Sequence, residues 1–252
     1  MNVRARSALR LVSFDAGWTL FQIAEPVGAT YARLARDAGI AVDAGALEEG
    51  FRRAFAAAPP LVAPPGQPGD LLEFERGWWR AVVEASLQHA LGELPAAQEG
   101  ARGRFFDLAF EHYAHAAAWR LYPEVRSVLA ELRGRGLVLV VVSNFDRRLH
   151  RLLDELGLGD AFAVAVASSE AGASKPDPAI FARVLGQLGG IPAEACVHVG
   201  DSLGEDVAGA LAAGWQGVWL DRRGGQLPAA ARGTPRITSL ADLPAWLQSS
   251  LT

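Results

Sequence analysis

Six polar residues stand where short apolar runs give way to turns: Asp15, Ser143, Asn144, Lys175, Asp201 and Asp206. Asp15 ends one run and leads into Ala16-Gly17-Trp18-Thr19-Leu20, and Ser143-Asn144 ends a second. Ser174-Lys175-Pro176-Asp177-Pro178 follows a third, and Gly200-Asp201-Ser202 ends a fourth, with Asp206 shortly beyond. Ligands of open α/β sheets bind past the carboxyl ends of strands, so these residues are expected to meet on one edge. Two carboxylates on neighbouring strand ends repel unless a cation lies between them. Hard oxygen ligands suit Mg²⁺, which takes one or two carboxylates together with waters and a phosphate. Ser143 and Asn144 offer neutral donors for phosphoryl oxygens, and Lys175 adds a compact positive charge. A carboxylate nucleophile, a divalent ion and a lysine are the parts that phosphoryl transfer to an aspartate requires.

Positioning such a set requires parallel strands joined by helices. Residues 10–15 (RLVSFD) read as a strand closing on a polar turn, and 137–142 (LVLVVV) as a strand buried on both faces. Shorter strands are expected over 163–167, 196–199 and 217–220, with an edge strand near Ile237. Helical faces lie between them: Val125, Val128, Leu129 and Leu132 form one, Leu149, Leu152, Leu153 and Leu156 another, and Val207, Ala210 and Leu211 begin a third. The alternation means a doubly wound parallel α/β sheet of the Rossmann-like kind. The stretch from about residue 21 to 119 breaks it. Helical patterns cover 27–38, 46–57, 71–91 and 96–115, the Pro-rich 59–68 is a loop, and no strand is evident. The simplest division is a core of residues 1–21 and 119–252 with an inserted helical cap, 22–118.

Composition narrows the function classes. The 252 residues carry 24 Lys+Arg against 28 Asp+Glu, a net charge of −4, which argues against a nucleic-acid groove. The longest apolar run is far too short to span a bilayer. Asp15 interrupts the N-terminal region before a signal-peptide core develops, and the single Cys196 excludes an intramolecular disulfide. A cytoplasmic protein, with neither nucleic acid nor membrane as partner, is expected. Oligomeric state is not legible. One detail of the composition stands out. Lys175 is the only lysine, and Asn2 and Asn144 are the only asparagines. No Walker loop, dinucleotide glycine fingerprint or zinc-spaced Cys/His set is present.

Four segments, FDAGWTL (14–20), VVSNFDRRL (141–149), SKPDPAIF (174–181) and VGDSLGEDVAGALAAG (199–214), resemble in order and spacing the four motifs of the haloacid dehalogenase-like (HAD) superfamily. SNFDRRL, SEAG-x-x-KPDP (169–178) and PVG-x-x-YA near Pro26 look especially like its domain-containing protein 3 group. The resemblance implies a Rossmann-like core with a helical C1-type cap. It makes Asp15 the nucleophile and Ser143 a phosphoryl-oxygen donor with Asn144 beside it, and Lys175 the residue that orients the nucleophile. Mg²⁺ is then held by Asp15, by Asp201 directly, by Asp206 nearby or through water, and by the backbone carbonyl of Gly17. The substrate it implies is a small phosphorylated metabolite, with specificity in the cap and its loop.

The chain departs from the pattern twice. Phosphatases of the superfamily read Asp-x-Asp in the first motif; here the second position, whose carboxyl protonates the leaving group and activates water, is Gly17. General acid–base help is worth about 10²–10⁴ in rate. The family's glycine before Thr19 is Trp18. Three readings follow: a slow Mg²⁺-dependent phosphatase, with Asp146 or Glu170 as substitute acids; a 2-haloacid dehalogenase, which needs no protonated leaving group; and a catalytically weak protein that binds a ligand or partner. Outside the motifs plainer roles are expected. Asp177 is a turn former and helix cap, His198 a satisfied core histidine, and Cys196 an inert strand residue. Trp78 and Trp79 are cap anchors, His112 and His115 belong to a cap helix, and Arg147-Arg148 is a solvated face.

Overall fold

The computed structural model describes residues 9–64, 70–92, 98–224 and 229–249, and the chain divides into two compact units, Met1–Gln22 with Leu121–Thr252, and Ile23–Arg120. The first unit is built on a six-stranded, wholly parallel sheet. Its strands are β1 (Leu11–Phe14), β4 (Val138–Ser143), β5 (Val164–Ala167), β6 (Cys196–Gly200), β7 (Gln216–Leu220) and β8 (Arg236–Ile237), in the order β5-β4-β1-β6-β7-β8. The reversal between β4 and β6 makes β1 the central switch point, where an α/β sheet opens a crevice.

Helices cover both faces, which is why the central strands are apolar without alternation. Leu11, Val140, Val142 and Cys196 pack against Ile180, Phe181 and Val184 of α8 (Ala179–Leu188) and Ala210 of α9 (Ala208–Ala212). The expected stripe of α5 (Val125–Gly134), Val125, Val128, Leu129 and Leu132, is buried throughout. So are Leu149, Leu152 and Leu153 of α6 (Arg148–Glu155). The third stripe is shorter than its periodicity suggested: Val207 lies in a π-helical turn, Leu203–Val207, and Leu211 is exposed. Two short strands, β2 (Phe21–Ile23) and β3 (Trp119–Leu121), bracket the helical insertion as a two-stranded sheet. Three residues each are too few for a period-2 signal, so the sequence gives no warning of them.

The second unit is helical: α1 (Val27–Asp37), α2 (Ala44–Ala57), α3 (Leu71–Leu91) and α4 (Glu99–His112). Asp43 and Asp70 cap α2 and α3, accepting from the N–H groups of Ala46 and Leu72 at 2.9 Å. Tyr31 centres its core, meeting Phe51, Phe105 and Tyr113 edge to face. Gly50 lets α2 approach α3 closely, since a Cβ there would lie 2.5 Å from the Ser86 carbonyl oxygen. Trp78 and Trp79 anchor here as expected, against each other and Phe55, with the Trp78 indole donating to the Pro59 carbonyl. Part of the 59–68 loop and the start of the 96–115 helical pattern lie outside the described residues. No helix among the described residues is long and apolar enough to cross a membrane.

Candidate active site

Five segments of the first unit bring their polar residues to the carboxyl edge of the sheet. Asp15, directly after β1, is buried, and its Oδ1 accepts from Lys175 Nζ at 2.6 Å and Ser143 Oγ at 3.0 Å. Lys175, also buried, donates equally to Asp206 Oδ1 at 2.6 Å. Asp206 Oδ1 further accepts from His198 Nε2 at 3.1 Å, and its Oδ2 from the Ser202 N–H at 2.9 Å. The Asp206 carboxyl lies directly over Gly200, where a Cβ would come within 2.1 Å of its carboxyl carbon, so only glycine fits there. Carboxylate oxygens of Asp15, Asp201 and Asp206 all lie within 4.8 Å of one another.

The charges follow from this packing. Burial pushes the Asp15 carboxyl up, against the pull of Lys175. Burial would also raise Asp206, but Lys175 and the hydrogen bond from His198 hold it well below the ordinary carboxylate range. Burial alone would lower Lys175, yet the two carboxylates outweigh it and keep the ammonium charged. Asp201 is pushed up to about 7 by partial desolvation and by Asp15 and Asp206. An acid so disfavoured as an anion among other acids is what a cation position between carboxylates requires. The donor set fits Mg²⁺: all oxygen, with Asp15 Oδ2 and the Asp201 carboxylate accepting no hydrogen bond from another described residue.

The remaining expected residues are placed as follows. Gly17 lies in the loop after β1, its backbone forming a bridge to Phe21, and a Cβ there would meet nothing within 4 Å. Trp18 beside it is the one described non-glycine residue with positive φ, 58°, a conformation that costs an L-residue about 1–2 kcal/mol. Arg222 pins this loop, donating to the carbonyls of Trp18 and Thr19 while paired with Glu124 and stacked over Tyr122. Asn144 stands beside Ser143, with its side chain turned to the backbone of Lys175. Its Oδ1 accepts from the Lys175 N–H at 2.7 Å, and its Nδ2 donates to the Lys175 carbonyl at 3.0 Å and to Glu205 Oε2 at 3.2 Å. Both amide hydrogens are thus engaged, and the side chain fastens the backbone of Lys175.

Further expectations give way. Both carboxylate oxygens of Asp146 are gripped by Arg148, and both side chains are buried, so Arg148 is no solvated face and Asp146 no spare acid. Glu170 is paired with His150 on the surface. Asp177 does cap the helix that follows, accepting from the Ala179 N–H. Cys196 is buried, with its thiol pushed up to about 12 by burial, which suits an inert strand residue. His198 is the satisfied core histidine that was expected, buried and bonded to Ser13 and Asp206. Two residues at the site escaped sequence reasoning, Glu205 at its rim and Ser13 beneath it; the visible signal for Ser13 was a polar residue in a strand buried on both faces.

The parallel sheet with a buried acid and lysine at its switch point is a Rossmann-like α/β frame. The chain belongs to the haloacid dehalogenase-like hydrolase family, whose model matches residues 9–214. It stands close to the domain-containing protein 3 group: it is similar to the human haloacid dehalogenase-like hydrolase domain-containing protein 3, at 35% identity over 214 residues, 83% of this chain and 80% of that one. It is also similar to a phosphoserine phosphatase of Thermus thermophilus, at 38% identity over 152 residues, 60% of this chain and 59% of that one. Among solved structures, a 2-haloacid dehalogenase of Pseudomonas syringae pv. Tomato superposes with a TM-score of 0.65 at 25% identity, over 97% of this chain and all of that one.

Proposed function

We propose that the protein is a Mg²⁺-dependent phosphomonoester hydrolase working through an aspartyl-phosphate on Asp15. The observation that carries this is the double anchoring of one Asp15 oxygen, by Lys175 and Ser143. It leaves Oδ2 without a hydrogen bond from another described residue, on a carboxylate that lies within 4.8 Å of Asp201 and Asp206. Oδ2 attacks phosphorus, a new oxygen–phosphorus bond forms, and the ester bond to the leaving oxygen breaks. Water then cleaves the acyl phosphate, releasing inorganic phosphate and restoring Asp15. Lys175 offsets negative charge as it accumulates, and the Ser143 hydroxyl is placed to turn from Asp15 to a phosphoryl oxygen. Asp15, Asp201 and the Gly17 carbonyl would hold the cation, with Asp206 beside them. Bound there, Mg²⁺ supplies charge neutralisation for the phosphoryl oxygens and the acids.

Gly17 provides no proton shuttle, and Asp146 and Glu170 are engaged elsewhere. The leaving oxygen must therefore depart without a proton donor and water attack without a base, so turnover is slow and the phosphorylated enzyme, once formed, is long-lived. The substrate is a small phosphorylated metabolite. The free, buried thiol of Cys196 supports a cytoplasmic setting.

A second reading, a 2-haloacid dehalogenase, is favoured by the missing carboxyl at position 17 and by the Pseudomonas syringae neighbour. Three converging carboxylates weigh against it, since they repel a carboxylate substrate unless a cation is added. The test is a screen of small phosphoesters for Mg²⁺-dependent phosphate release, run beside halide release from 2-haloacids, with Asp15→Asn as control. Phosphate release abolished in the variant supports the first reading; halide release without phosphate release supports the second. Neither activity, with a phosphorylated ligand still bound, points to a binding protein.

A further inference from the structure

Beneath the site the sheet buries two polar side chains that the proposed reaction does not use. Ser13 of β1 and His198 of β6 are register partners on adjacent parallel strands, fully buried on the face packed by α8. Ser13 Oγ lies 2.8 Å from His198 Nδ1, and the Phe181 ring meets the imidazole edge to face. Asp206, a carboxylate, has no proton to give. The hydrogen in the 3.1 Å contact therefore sits on His198 Nε2, and in the neutral ring Nδ1 accepts the Ser13 hydroxyl.

Such a pair is not what a fold needs. Two apolar residues of similar shape in a buried sheet are close to neutral in stability, whereas an unpaired buried donor costs about 1–3 kcal/mol. What the pair adds is direction. Asp206 Oδ1 takes His198 and Lys175 together, Oδ2 takes the Ser202 N–H, and Gly200 supports the carboxyl from below. We propose that Ser13 and His198 are positioning residues: they fix the Asp206 carboxylate, which in turn holds the Lys175 ammonium against Asp15. Asp206 then serves as the anchor of the lysine, with its oxygens already committed.

The chain itself offers a probe. Because Lys175 is the only lysine, protein labelled with ¹⁵N-lysine carries a single side-chain ammonium signal. In the wild type, buried between two carboxylates, it is expected to be sharp and protected from exchange with water. His198→Leu, which keeps the bulk and removes the donor, should shift the signal and speed its exchange at least about tenfold. His198→Gln, whose amide can reach Asp206, should restore it, and Ser13→Ala should move it in the same direction by less. An unchanged signal in folded His198→Leu would overturn the proposal and leave the histidine as packing alone. If that variant does not fold, Ser13→Ala decides the matter in the same way. The activity arm rests on the phosphatase reading: kcat for phosphate release should fall roughly 10–100-fold in His198→Leu with KM nearly unchanged, and recover in His198→Gln. The ammonium signal needs no substrate, so failure to find phosphate release leaves the positioning result standing.

Discussion

The two units of the chain solve different problems with different residues. In the sheet unit the buried polar groups Ser13, Asp15, Ser143, Lys175, His198 and Asp206 form one hydrogen-bonded series running from the strand faces to the carboxyl edge. In the helical unit the core is aromatic and aliphatic, centred on Tyr31, Leu47, Leu87, Phe105 and Phe106. The sheet unit accepts the cost of burying charge because each charge there has a partner. The helical unit spends its sequence mainly on packing, with Thr30, Glu75 and Ser86 the polar residues buried there among those described. The polar network is therefore sited by strand ends, and the helical insertion is held together mainly by apolar packing.

The sharpest way to break this contrast is to remove the charge that joins the acids. Lys175→Ala leaves Asp15 and Asp206 facing each other, and should lower phosphate release by about 10³-fold while costing roughly 3–5 kcal/mol of stability by denaturant titration. Lys175→Arg should recover little, because a planar fork does not fit where a point charge touches two carboxylates. Phe105→Ala is the counterpart in the helical unit. The cavity should cost about 3–5 kcal/mol, read as lost amide protection in α1 to α4, with the Lys175 ammonium signal unmoved. A shift of that signal would show that the packing region also sets the site.

Gly17→Asp sharpens the account of what the site lacks. The position is open to a Cβ and its φ is not left-handed, so the backbone accepts a side chain there without strain. Turnover should rise about 10²-fold, with less phosphorylated enzyme at steady state; unchanged turnover would mean that proton transfer is not what limits the rate.

The smallest effect concerns pH. Asp201 is raised from 3.8 to about 7, so without a cation the folded chain holds that proton more tightly than the unfolded one. Its contribution therefore favours folding at low pH and is lost as pH rises toward 7. A divalent ion must displace the proton, so affinity measured by calorimetry should drop roughly tenfold per pH unit below 7. Affinity flat across that range would separate Asp201 from the cation.

Much of this was legible in the sequence because strand ends are where an α/β sheet presents ligands. Asp15, Lys175, Asp201 and Asp206 could be gathered from unbroken apolar runs and the turns after them. Register between strands was not legible. Periodicity says that Ser13 and His198 are buried, and only the pairing of β1 with β6 makes them neighbours. Side-chain direction was equally hidden: Asn144 faces the Lys175 backbone and Arg148 folds onto Asp146, contacts that no spacing rule distinguishes from solvation. Trp18 hides a backbone requirement, since its positive φ sits where glycine would have announced a turn.

The central claim is that Asp15 carries the phosphoryl group. Incubating the enzyme with Mg²⁺ and a phosphoester that it turns over, quenching in acid and weighing the intact chain tests it most directly. The account predicts a population heavier by one phosphoryl group, mapped to the peptide containing Asp15 and absent from Asp15→Asn. Phosphate released at the wild-type rate with no such species, or with the label undiminished in Asp15→Asn, would contradict it.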